Sequence, residues 1–261
     1  ARAVMDHDAD VNSPPRIDVG EAAVLAEIEE HHGTLLLRRR VFPRAALVGA
    51  LAGLTALAFR AALTAADVSR AALISWAHTL PTLGWVFPVT LGLLGAGIAV
   101  ALTTRCACAA GGSGIPNVEA VLDGYGKLAW RRLIPVKFIG GLIGIGSGLT
   151  LGREGPTIQM GAAVGEALSG GLHVSAQERL TLITAGSGAG LAAAFNAPLA
   201  GLGFVLDEIR HDFEPIVFAP CLGSAIEPDI FSRVWHGRVP VFNVPGVPLP
   251  PLCSPPAFLG A

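Results

Sequence analysis

A chain of 261 residues with 52% hydrophobic residues, only 15% charged residues and a formal net charge of −2 is much poorer in charge than soluble domains, which carry about 25%. The near-neutral balance excludes a nucleic-acid binder, which needs a basic face. High hydrophobicity with almost no net charge excludes a disordered chain.

Charge is unevenly spread. Residues 1–44 carry 14 of the 38 charged side chains, residues 45–206 carry 15, and residues 207–261 carry 9. Residues 1–40 read as an acidic cytoplasmic arm. Within it Val19 to His32 can form a short surface helix, with Val24, Leu25 and Ile28 on one face. Arg38, Arg39, Arg40 and Arg44 stand directly before the first apolar run. The positive-inside bias then places the N-terminus in the cytoplasm.

Residues 41–235 are the predicted membrane domain. A crossing helix needs about 20 apolar residues, and three runs qualify. They are Ala45 to Phe59 continued past Arg60, the uncharged stretch 71–104, and the uncharged stretch 180–206. Other pieces are short or broken. Ile134 to Gly152 is apolar except for Lys137, Gly155 to Gly170 carries Glu166, and Leu180 to Leu206 is interrupted by Asn196 and Pro198. Interrupted apolar segments survive at membrane depth only inside protein or beside a water-filled cavity, and they point to a transporter's binding site. The predicted fold class is therefore all-α, a polytopic membrane protein with short, tilted and re-entrant helices. Gly140, Gly144, Gly148 and Gly152 recur at i, i+4 and predict a ridge of close helix packing. Pro215 to Val234 is one more candidate span, interrupted by Glu227-Pro228-Asp229. Residues 236–261 are proline-rich and read as an extended connector.

Cys106, Cys108, Cys221 and Cys253 lack paired metal-binding spacings, so neither metal nor cofactor is expected. Gly188-Ala-Gly190-Leu-Ala-Ala193 fits a dinucleotide-binding pattern, but no strand–helix alternation surrounds it. There is no phosphate-binding Walker sequence. An ATP-driven pump therefore has no support, and the chain is not expected to be an enzyme.

Three segments share a design of small residues, one polar or charged residue, and a proline at a predicted helix start. They are Gly112-Ser113-Gly114-Ile115-Pro116, Gly152-Arg153-Glu154-Gly155-Pro156 and Ala194-Phe195-Asn196-Ala197-Pro198. Proline suits a first helical turn, and glycine lets a ligand approach the free N–H groups. Two such helix starts meeting in the membrane could hold a small anion without a full positive charge. Glu154 would compete with that anion when ionised and yield when protonated, because an ionisable residue inside a membrane is a functional candidate by default. A salt bridge from Glu154 to Arg153 or Lys137 is the alternative.

These segments, together with Thr157-Ile158-Gln159 and Gly190-Leu-Ala-Ala-Ala-Phe195, resemble the signatures of the CLC chloride channels and chloride/proton antiporters, in matching order and spacing. The resemblance covers roughly residues 40–250. It implies that Ser113 offers its hydroxyl, and Gly112 and Ser113 their N–H groups, to a central chloride. It implies that Glu154 is the gate and the outer proton acceptor, with Arg153 and Gly155 at the outer anion sites. Glu208 aligns with the internal proton-transfer glutamate of antiporters, although Asp207 stands where a second glutamate is usual. Glu119 and Lys137 match buried polar positions near the proton path and are expected to pair with each other or with Glu208.

The family core has two halves of opposite orientation, and this chain resembles the first. It is expected to stop before the second repeat, leaving the anion site incomplete. Chloride/proton antiport in the plasma membrane (the inner membrane of a bacterium) is the expected function, with chloride, protons and lipid as partners and a homodimer once the second half is supplied. The alternatives are a passive voltage-gated chloride channel, or a truncated or split-gene fragment without transport.

Overall fold

The computed structural model describes the backbone of residues 19–80, 84–172, 174–210 and 215–236, and their side chains except at 19–39, 210, 215–216 and 231–236. The side chains of the acidic arm, and the connector beyond His236, lie outside the described residues. Among the described residues eight α-helices follow in chain order: α1 (Val19–Ala77), α2 (Val86–Cys106), α3 (Ile115–Leu122), α4 (Trp130–Gly146), α5 (Glu154–Leu172), α6 (Ala176–Phe195), α7 (Pro198–Phe204) and α8 (Pro215–His236). A 3₁₀ turn (Cys108–Ala110) precedes α3, and a π turn (Val205–Arg210) follows α7. Among the described residues there is no strand.

Helices α5 and α6 form the centre of the fold. Nearly every α5 residue from Gly155 to Glu166, and every α6 residue from Thr181 to Ala194, is buried. Their contact is backbone on backbone. A methyl group on Gly161 would strike the Gly186 carbonyl, and one on Gly186 would strike the Gly161 carbonyl. Gly165 lies likewise on Leu182, and Gly190 on Thr157. This arrangement corrects the expected glycine ridge. Gly140 has only loose side-chain neighbours, Gly148 is a left-handed turn residue at φ 104°, and Gly152 lies before α5 begins. The four glycines span a helix, a turn and a loop, so no single face presents them.

Helix α1 packs along α8, α6, α5 and α4. Fully buried Phe59 seats beside Gly141 and meets Phe138 edge-on, with ring centroids 5.3 Å apart. Its backbone is helical without interruption from Val19 through Pro43 to Ala77, so the segment 19–32 is not a separate helix. The uncharged stretch 71–104 is not one span either. Helix α1 ends inside it and α2 begins at Val86, with Trp76 and Phe87 stacking edge-to-face at 5.2 Å across the turn. Helix α8 runs through Glu227-Pro228-Asp229, where the Pro228 ring fills the space above Gly53 of α1.

Among the described residues two helices, Arg40–Ala77 within α1 and Val86–Cys106, are long and apolar enough to cross a membrane. Helix α2 buries only Gly95 and leaves Leu93, Leu94, Ile98 and Val100 more than half exposed. An apolar surface of that extent needs lipid or protein to cover it.

One end of the bundle is tied by charge. Ser175 caps α6 in a reciprocal box with Glu178, and Glu178 also accepts from Arg44 Nη1 of α1 at 2.6 Å. Arg179 reaches back to Glu166 of α5 at 2.8 Å. Both carboxylates are buried, so these pairs fix α1, α5 and α6 in register.

Candidate functional site

The first motif wraps Ser113 between two left-handed glycines, Gly112 at φ 66° and Gly114 at φ 90°. That backbone is strained for any residue with a Cβ, and it turns the chain sharply into α3 with Pro116 in its first turn. The N–H groups of Gly112, Ser113 and Gly114 have no protein acceptor among the described residues. The second motif opens α5, with Glu154 first and Pro156 third. Thr157 closes this turn by donating its hydroxyl to the carbonyls of Glu154 at 2.8 Å and Arg153 at 3.1 Å.

These two helix starts touch. A Cβ on Gly155 would run into the backbone of Ser113, so only glycine lets α5 approach the serine loop this closely. Between them opens a cavity of about 600 Å³, lined by Gly112, Ser113, Lys137, Glu154, Gly155 and Pro156 together with apolar groups of α2 and α4. Ser113 is exposed to this space, and Glu154 is half-buried with its carboxylate folded against Gly152. Exposed N–H groups and the positive ends of two helix dipoles make the pocket suited to an anion.

Lys137 corrects an expectation. It is 4% exposed and donates to the carbonyls of Ala110 at 3.0 Å and Gly112 at 2.8 Å. No ion pair links it to Glu119, Glu208 or Glu154 among the described residues, nor does one join Glu154 to Arg153. The backbone carbonyls of the serine loop satisfy the ammonium, so it needs no carboxylate. The ammonium is held by these loop carbonyls on a residue of the cavity wall and adds positive potential to the pocket.

The other expected residues do not line the cavity. Arg153 is half-buried just before α5, Glu119 is half-buried on α3, and neither lines it. Glu208 is exposed in the π turn after α7, an element that packs against α3. In the third motif Asn196 caps α6 in a left-handed conformation and Pro198 starts α7, but this segment does not line the cavity. Gln159 of α5 escaped notice as a separate residue. Its signal was a lone amide in an apolar stretch, and it is completely buried against the serine loop.

Comparison with known proteins agrees with this arrangement. The profile of the family described as "Voltage gated chloride channel" matches residues 95–261, more than half of the chain. A protein named H(+)/Cl(-) exchange transporter ClcA from Vibrio cholerae serotype O1 is 39% identical over 221 residues, 82% of this chain and 46% of the relative. A ClcA protein of Vibrio vulnificus is 40% identical over 206 residues, 77% of this chain and 44% of that one. The chain thus spans less than half the length of these curated relatives. Among solved structures, a slow cyanobacterial Cl⁻/H⁺ antiporter superimposes with a TM-score of 0.73 at 31% identity, covering 82% of this chain and 51% of its own. A CLC-type fluoride/proton antiporter shares the fold, with a TM-score of 0.65 at 24% identity and coverages of 85% and 52%. The all-α fold, the paired helix starts and the family match lead to one conclusion: the chain belongs to the voltage gated chloride channel family of membrane transport proteins.

Proposed function

We propose that this chain supplies the first of two inverted halves of a chloride/proton exchanger, with residues 41–235 as its membrane-embedded part. The observation that carries the reading is the cavity in which Ser113, Glu154 and two helix N-termini converge. Chloride occupies this space against the Ser113 hydroxyl and the N–H groups of Gly112 and Ser113. Neutral donors and dipole ends, with the Lys137 ammonium engaged by the carbonyls of Ala110 and Gly112, attract an anion without trapping it. The Arg153 and Gly155 backbone forms the outer approach.

Glu154 is the one acid on the cavity wall, and it competes with chloride for the same N–H groups. When ionised, its carboxylate fills the anion position. When protonated it withdraws, so each exchange of carboxylate for chloride moves a proton. Glu208, exposed within the π turn, delivers that proton from the opposite, cytoplasmic side. Relatives named as H(+)/Cl(-) exchange transporters support exchange over passive conduction. The N-terminus lies in the cytoplasm, the membrane is the plasma membrane, and the completed protein pairs as a dimer.

The test uses proteoliposomes carrying this chain alone, or together with the second half of the Vibrio cholerae relative. The expected result is proton uptake driven by a chloride gradient only when both halves are present. Glu208→Gln should leave chloride flux without proton coupling, and Glu154→Gln should abolish proton movement. Chloride flux that never couples to protons would establish a passive channel. No chloride flux from the combined halves would overturn the transport reading.

A further inference from the structure

The geometry points to Gln159 as a positioning residue that shapes the serine loop into an anion site and locks it to the helix carrying Glu154. This inference rests on the reading of the cavity as an anion site. Gln159 is completely buried on α5, five residues beyond Glu154, and it does not line the cavity. It lies behind the serine loop. Its Nε2 donates to the carbonyl of Ala109 at 2.7 Å and to Oδ1 of Asn117 at 3.2 Å. One amide therefore grips the chain on both sides of Ser113. Between the two grips, left-handed Gly114 lies so close that a Cβ there would collide with the Gln159 amide.

The purpose of this grip lies in the carbonyls. An anion is attracted by N–H groups and repelled by the oxygen end of any carbonyl turned toward it. From Cys108 to Gly112, four of the five carbonyls are engaged. Cys108 accepts from the Gly111 N–H, Ala109 from Gln159, and Ala110 and Gly112 from Lys137. With these oxygens held, the N–H groups of Gly112, Ser113 and Gly114 are left for the ligand. Lys137 supplies charge as well as hydrogen bonds. Gln159 is neutral, so its contribution is orientation alone. Because it stands on α5, it also sets the distance between the Ser113 loop and Glu154, the two groups that share the chloride.

The test is chloride binding by calorimetry to the chain assembled with the second half, in a Glu154→Gln background that removes the competing acid. Gln159→Leu keeps the bulk and removes the donor, leaving the Ala109 carbonyl unpaired. It is expected to weaken chloride binding by about tenfold. Gln159→Glu distinguishes orientation from packing, and it serves equally if the leucine variant does not fold. As a carboxylate it cannot donate to Ala109 and binding is weak, whereas on acidification the protonated form donates as glutamine does and affinity recovers. Unchanged binding in Gln159→Leu, or binding by Gln159→Glu that does not rise on acidification, overturns the inference. If Ser113→Ala weakens binding while Gln159→Leu does not, the anion site stands and the positioning role falls. If the Glu154→Gln parent binds no chloride, the anion site and this inference fall together.

Discussion

The α5–α6 seam and the surface of α2 are built from the same alphabet of glycine, alanine and branched aliphatics, yet they behave oppositely. In the seam Gly161, Gly165, Gly186 and Gly190 bring two backbones into contact, and no side chain fits between them. On α2, Gly92 and Gly97 have nothing within 4 Å, and the leucines around them are exposed. Composition therefore identifies a membrane protein but not the parts of it that are structural. Glycine matters where its missing side chain is occupied by another backbone.

Substitutions on the two surfaces break this contrast by graded amounts. Gly161→Leu drives a side chain into the Gly186 carbonyl and should cost about 3 kcal/mol or more in a denaturant titration of the protein in detergent. Arg44→Ala strands the buried Glu178 carboxylate at the end of the same bundle. Reduced resistance to denaturant, by about 2 kcal/mol after allowance for partial exposure of the arginine, is the expected result. Ser224 of α8 donates to the Ala185 carbonyl of α6 at 3.1 Å, so Ser224→Ala should loosen α8 by about 1 kcal/mol, read as faster proteolysis near the C-terminal helix. Gly97→Ala is expected to change stability least, and in the opposite direction, stabilising α2 by less than about 1 kcal/mol in the same titration. Equal losses at Gly97 and Gly161 would erase the distinction between the two surfaces.

What could be read from the sequence was chemistry confined to a few neighbouring residues. A glycine followed closely by a proline, Gly114-Ile115-Pro116 and Gly155-Pro156, marks the starts of α3 and α5, and the two polar residues beside them, Ser113 and Glu154, do meet at one cavity. The glycine ridge was misplaced because i, i+4 spacing is informative only while the backbone stays helical, and α4 ends at Gly146. Lys137 was assigned a carboxylate partner, whereas its partners are backbone carbonyls 25 and 27 residues away. Carbonyls are present at every position and leave no mark in a sequence. Gln159 stands in the sequence only as part of a motif, for the same reason. The break in the uncharged stretch 71–104 has no charged residue to announce it; Gly84 stands at the turn, where a Cβ would meet the Ala77 carbonyl, and Trp76 packs on Phe87 across it.

Helix α1 has one further consequence. The stretch Arg40–Ala77 has 38 residues, about 57 Å at the α-helical rise, against a hydrocarbon core of about 30 Å. Such a helix must lie obliquely, project well beyond the lipid, or both. Along its length it touches α4, α5, α6 and α8. Helix α1 is thus longer than one crossing requires, and it is also one of the helices packed against α5, which carries Glu154.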